Sequence, residues 1–275
     1  MKTSDAVSAL FSNRKLLAGT VIVALFAVMA TVGPLIVPNP VNPHVNQAYQ
    51  PPSWKYPFGT DNWGRSVFAE IVWGSRISLT VGVVSALFAT MIGALIGLLA
   101  GYFAGMIDEL LMRVTDIMLI IPPLALMIVI AIYLGPSVRS VIFIIAITSW
   151  PYIARTVRSE VLTRKNRTYI SVAKVTGESS YGIIFKYILP EVFPVILAYA
   201  VLTVTSSIVA EATLDFIGVG VTSIVSWGEI LYWAQQTAFY YNAWWWIISP
   251  GIAIGLLGTG FMLVGLGVEE ISEHG

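Results

Sequence analysis

The chain has no cysteine among its 275 residues and only two histidines, His44 and His274. The first absence excludes disulfides, thiol catalysis and thiolate metal sites. The second, with no HExxH pattern and no clustered ligands, argues against a metal centre. Charge is equally scarce. Fifteen basic and fifteen acidic residues cancel, and together they make 11% of the chain, against about 25% in soluble domains. A balanced total gives no reason to expect nucleic acid as a partner, so the placement of the charges carries more information than their sum. No GxxxxGK[ST] run occurs, which excludes nucleotide hydrolysis by a P-loop on this chain.

What fills the chain is apolar: 57% hydrophobic residues and a mean hydropathy of +0.81. A spanning helix needs roughly 20 such residues, because its backbone amides must be satisfied internally once water is gone. Six windows qualify, at 16–37, 77–103, 114–134, 138–154, 191–212 and 246–268. The expected fold class is therefore an all-α polytopic membrane protein with six transmembrane helices. It divides into a segment 1–15, a first anchor 16–37, an external segment 38–76, a core 77–268 with a loop 155–190, and a tail 269–275. Arg14 and Lys15 before the first window resemble the start of a signal peptide. Its length and its end at Pro34 and Pro38, without a small-residue cleavage pattern, favour a retained anchor.

Orientation follows from Lys and Arg near the helix ends. With the N-terminus in the cytoplasm, eleven basic residues lie inside and four, Lys55, Arg65, Arg76 and Arg139, lie outside. Both termini are then expected in the cytoplasm. The external segment starts extended, because Pro38, Pro40, Pro43, Pro51, Pro52 and Pro57 cannot continue a helix. Segment 213–245 reads as a glycine-containing bend followed by a Trp- and Tyr-rich surface helix at the outer interface.

Within the spans, Gly93, Gly97, Gly101 and Gly105 recur every fourth residue and so share one helix face, where another helix can approach closely. Packing within the chain and packing on a second subunit are both open. Gly251 and Gly255 repeat the pattern on a smaller scale. Pro122 and Pro123 remove backbone donors from the third window and predict a kink there, a candidate gate. Ionisable groups at membrane depth usually face a bundle interior. Asp116 is expected to pair with Arg113 three residues away. Glu211 either lines a pathway or bonds a neighbouring helix. No nucleophile and base fall together, since Asp116 and Glu211 lie near opposite faces of the bilayer, so the chain reads as non-catalytic.

The segment 168–190, TYISVAKVTGESSYGIIFKYILP, is polar and basic inside this apolar chain. Thr168 is the expected N-cap of a short helix with Tyr169, Val172, Ala173 and Thr176 on one face. Gly177 ends that helix. A second one, carrying Ile184, Tyr187 and Ile188, leads to Pro190 in the first turn of the fifth span, where its missing donor costs nothing. Simple helix connections run about 2–8 residues, so a segment this long is expected to contact a partner.

Ala173, Gly177, Ile188 and Pro190 at these separations resemble the loop of the permease subunits of ATP-binding-cassette importers, written EAAxxxG and, ten residues on, IxLP. The peptide and nickel branch, and its C-type subunit, is further resembled by PFGTDNWGRS at 57–66, GSRISLTVG at 74–82, LAGYFAG at 99–105 and MRVTDIMLIIPPL from Met112. SWPYIARTVRSEV at 149–161, EATLDFIGVGV at 211–221 and SWG at 226–228 follow in the same order. Ser171 and Val172 stand where the family has Glu and Ala, which removes the charged member of the motif. Docking is then expected to rest on shape, on the apolar face and on Lys174.

The resemblance implies a type I importer permease fold, a second homologous permease subunit, two cytoplasmic ATPase subunits and an external solute-binding protein. It implies location in a prokaryotic inner membrane and no cofactor on this chain, with ATP and magnesium held by the ATPases. The branch handles oligopeptides, dipeptides, nickel chelates and oligosaccharides, and peptides are the first choice on frequency alone. An ion-coupled secondary transporter or channel is the alternative of another class. It predicts inverted repeats and interrupted helices near the midplane, and neither is visible in the sequence.

Overall fold

The computed structural model describes residues 13–41 and 47–274; His44 lies outside them. The described residues are almost wholly helical. The order is α1 (Arg14–Ile36), α2 (Val67–Phe103), α3 (Gly105–Ile120), α4 (Pro123–Leu134), α5 (Val138–Arg164), α6 (Thr168–Val175), α7 (Ser180–Ile183), a π-helical turn (Ile184–Ile188), α8 (Leu189–Ile217), α9 (Trp227–Thr237) and α10 (Trp244–His274). Five helical stretches are long and apolar enough to cross a membrane, and six if α3 and α4 count as one span.

Several helices outrun their apolar windows. α2 starts at Val67, ten residues before the window at 77–103, because Ser66 accepts from the Ala69 amide and caps it. Its first turns hold Glu70, Ser75 and Ser78, all buried against the rest of the chain and thus hidden from a hydropathy reading. At 37 residues α2 is about 55 Å long, well beyond a bilayer core of about 30 Å. α5 likewise continues past residue 154 to Arg164, so the first ten residues of the expected loop 155–190 are helix.

The third window is broken rather than kinked. Ile121 and Pro122 are extended, α4 restarts with Pro123 in its first turn, and the two helices meet at 90°. Proline cannot donate, its ring clashes with the carbonyl one turn back, and it pushes the residue before it out of the helical region, so consecutive prolines end α3 outright. α3 is held on α5 by two ion pairs. Arg158 donates Nε and Nη2 to Asp108 at 2.5 and 2.6 Å, and Arg155 reaches Asp116 at 2.5 Å. This corrects the expected Arg113–Asp116 pair, since Arg113 turns back to Glu109 instead.

α2 is the central helix. Gly93, Gly97 and Gly101 let it lie directly on α5: an added methyl would stand 2.7 Å from the Trp150 carbonyl, 2.6 Å from that of Ala154 and 2.6 Å from Val161 Cβ. The stripe therefore serves packing within the chain. Gly105 does not belong to it, because Ala104 breaks the helix with φ 53° and Gly105 opens α3 against empty space. Gly251 and Gly255 also face open space.

α1 lies at the rim, packed on α10 and α2. Asn13 caps it, and Lys15 and Asn13 both bond Glu270 of α10, so the two ends of the described chain meet at one end of the bundle. The opposite end is closed by α9, around a core of Val67, Ile71, Ile208, Trp227, Trp246 and Leu257.

Candidate coupling surface

Beyond Arg164, the chain turns at Lys165, whose Nζ donates to the Gly101 carbonyl at 2.9 Å and fixes the turn to the end of α2. The cap of α6 is Arg167 rather than Thr168, and no side chain performs the capping. Arg167 takes the extended conformation that a cap needs, and its carbonyl accepts from Ile170 and Ser171, so Thr168 becomes the first helical residue. At the far end Gly177 has φ 83°, and the Glu178 amide closes back on the Ala173 carbonyl at 3.1 Å. A methyl on Gly177 would meet nothing within the chain, so the turn demands glycine through backbone conformation alone.

The second short helix is not separate from the fifth span. α7, the π-turn and α8 form one continuous helical stretch from Ser180 to Ile217. The reason is Pro190. Inside this stretch it cannot donate to Lys186, and the π-turn beside it reroutes the ladder, with the Leu189 amide reaching the Ile184 carbonyl.

Two faces result. Ile170 and Ala173 of α6 are buried with Ile183, Ile184 and Ile188 against Leu98, Val157 and Val161. On the other side Val172, Val175, Tyr181 and Phe185 stand exposed, Val175 at 89%. Exposed Ser171 adds no charge there. Lys174 is exposed as well, and its Nζ lies over the Tyr102 ring, 5.6 Å from the centroid.

Glu191, one residue after Pro190, is the hub that sequence reasoning missed. It accepts from the Tyr169 hydroxyl at 2.5 Å and pairs with Arg167 at 3.4 Å and Arg164 at 3.6 Å. It thereby ties α6 to the ends of α5 and α8. Its signal in the sequence is an acid in the first turn of an apolar helix, where the helix dipole favours it.

At the other end Glu211 is 1% exposed, with Ser78 Oγ at 3.3 and 3.2 Å from its oxygens. This is the bond to a neighbouring helix, α2, that its position suggested. Asp215 accepts from the Val221 amide and the Ser226 hydroxyl, both at 2.6 Å, and so folds the bend before α9. Asp61, in the loop before α2, accepts from the amides of Trp63 and Arg65. Burial nevertheless pushes its carboxyl above the ordinary range.

Residues 93–273 match the family described as "binding-protein-dependent transport system inner membrane component", and residues 3–52 match the "N-terminal TM domain of oligopeptide transport permease C". The dipeptide transport system permease protein DppC of Bacillus subtilis is 35% identical over 98% of this chain and 84% of its own length. The oligopeptide transport system permease protein OppC of the same organism is 32% identical over 97% and 87%. Escherichia coli DdpC, described as a probable D,D-dipeptide transport system permease protein, is 35% identical over 92% and 85%. A chain of the MetNI methionine ABC transporter, solved in inward-facing conformations, has a TM-score of 0.59 at 18% identity, covering 76% of this chain and 95% of that one. That likeness shows a shared fold.

Proposed function

The chain belongs to the family of binding-protein-dependent transport system inner membrane components and is a permease subunit of an ABC importer; from that premise we propose that it carries peptides inward when partner ATPases close on α6. The observation that carries the coupling role is the two-faced α6. Its inner face is fixed in the core, and its outer residues Val172 and Val175, with Tyr181 of α7 and Phe185 of the π-turn, are apolar with no cover in the chain. A short helix so anchored transmits a push as a rigid body into α5 and α8, through Glu191. Gly177 keeps the exit of α6 compact, Thr168 and Ser171 flank the contact, and shape carries the docking.

In this reading α6 is cytoplasmic, as are both termini, consistent with Lys15 and Glu270, near the ends of the described chain, meeting at one end of the bundle. The basic excess around 155–186 favours the same orientation in the inner membrane. A second homologous permease completes the pathway, two ATPases bind ATP and magnesium, and an external binding protein delivers the solute at the α9 end. The chain itself is non-catalytic and binds no cofactor. The relatives are described as dipeptide and oligopeptide permeases, which favours peptide over nickel chelate or oligosaccharide as cargo.

Val175→Glu places a charge on the docking face without touching the core. In a reconstituted importer it should cut co-purified ATPase and labelled-dipeptide uptake at least about tenfold, the effect of losing about 1.4 kcal/mol of contact. Normal ATPase recovery with normal uptake would remove α6 from the coupling role. Uptake of nickel chelate or oligosaccharide in place of dipeptide would change the cargo alone.

A further inference from the structure

Arg76, on the α9-end half of α2, is a charge that the contacts described so far do not use. It is exposed, and no hydrogen bond or ion pair holds its guanidinium among the described residues. It faces two grooves at once. One, of about 610 Å³, lies between α1 and α2 and is lined by Ala27, Ala30, Leu79 and Val83. The other, of about 530 Å³, lies against the bend before α9 and is lined by Trp73, Thr80 and Ile224.

A lone cation on the apolar flank of a spanning helix requires a counter-charge or an escape to the headgroup layer. Trp73, one turn away with its Nε1 donating to the Val37 carbonyl at 3.0 Å, is the residue type that settles at that layer. Arg76 therefore stands just below it. The hydroxyls of Thr31 and Thr80 donate to backbone carbonyls, that of Thr80 to Arg76's own at 2.6 Å, and neither oxygen accepts from the guanidinium. The groove beneath is apolar and opens beside α1, whose most apolar window is only 17% buried. A cation at the mouth of an apolar groove that opens at the rim of the bundle matches one ligand in its surroundings, an acyl chain ending in a phosphodiester.

We propose that Arg76 and the α1–α2 groove form a site for an anionic phospholipid, the guanidinium holding the phosphate and the groove one acyl chain. A net negative headgroup is selected because no carboxylate partners Arg76 and so none is at hand to take up the ammonium of a zwitterionic one. The lipid wedges α1 against α2 where Gly33 packs directly on Val72.

The test is native mass spectrometry of the whole importer from membranes and after exchange into phosphatidylglycerol or phosphatidylcholine nanodiscs. The wild type should retain at least one more phosphatidylglycerol per complex than Arg76→Gln, and Arg76→Lys should keep it. Wild type alone should hold phosphatidylglycerol over phosphatidylcholine about tenfold, a comparison that survives if Arg76→Gln does not assemble. Equal lipid counts in wild type and Arg76→Gln, or no headgroup preference, would overturn the site. Loss of the second permease from Arg76→Gln at unchanged lipid count would assign Arg76 to a protein contact instead.

Discussion

Glu229 shows how far one residue can depart from its ordinary behaviour. It sits in the first turn of α9, outside the spans, with its amide bonded to the capping Ser226. Burial raises its pKa from 4.5 to about 7, against the opposing pull of Trp233 and Arg65. An acid raised in the folded state binds more protons there than when unfolded, so its contribution is fully present below about pH 4.5 and is lost as pH rises through about 7. Glu229→Gln removes that term. The melting temperature of the variant complex should fall less steeply than wild type between about pH 5 and 8 and lie higher at the alkaline end. Parallel pH profiles for the two proteins would show that Glu229 does not titrate with folding.

At the scale of the element, the two glycine stripes make opposite predictions from the same sequence pattern. Gly97→Val would drive a side chain into the Ala154 carbonyl, 2.6 Å from the first added atom, and into Val157. Overpacking of this kind costs about 1–3 kcal/mol or more, so membrane yield and melting temperature should both drop. Gly251→Val meets nothing within the chain and should leave the yield of this subunit unchanged. Equal sensitivity at both positions, measured as folded protein by fluorescence-detected size exclusion, would show that the α2–α5 contact is not what holds the core together.

The same contrast explains what the sequence made legible. Apolar windows located every span, and the prolines located the break at 121–122, because lipid and backbone chemistry act locally. They misplaced the start of α2 and the end of α5, since Glu70 and Ser78 are buried by protein and α5 projects beyond its apolar window. Glycine spacing identified a packing face but not its partner. In the α6 region the short helix and the glycine turn were readable, whereas the cap, the Lys174–Tyr102 contact and the Glu191 hub depend on residues distant in the chain.

For the molecule as a whole, the 90° break divides a rigid part from one held at few points. α2, α5 and α8 share continuous cores, while α3 exposes Met106, Leu110, Ile117 and Ile120 and is fixed to α5 through Asp108–Arg158 and Asp116–Arg155. These pairs sit on the same helix, α5, whose end carries the turn into α6, so under the proposed coupling role a push on α6 would reach α3 through them. Asp108 is the better buried of the carboxylates and accepts two guanidinium bonds, each charged contact contributing about 1.5–3 kcal/mol. Asp108→Asn should therefore leave ATPase docking intact yet uncouple it, with ATP hydrolysis persisting while dipeptide uptake falls several-fold. The exchange Asp108→Arg with Arg158→Asp restores the pair in reverse and should recover part of the uptake that either single change loses. If the double variant is no better than the worse single one, the α3–α5 contact is positional packing and the signal from α6 reaches the pathway through α8 alone.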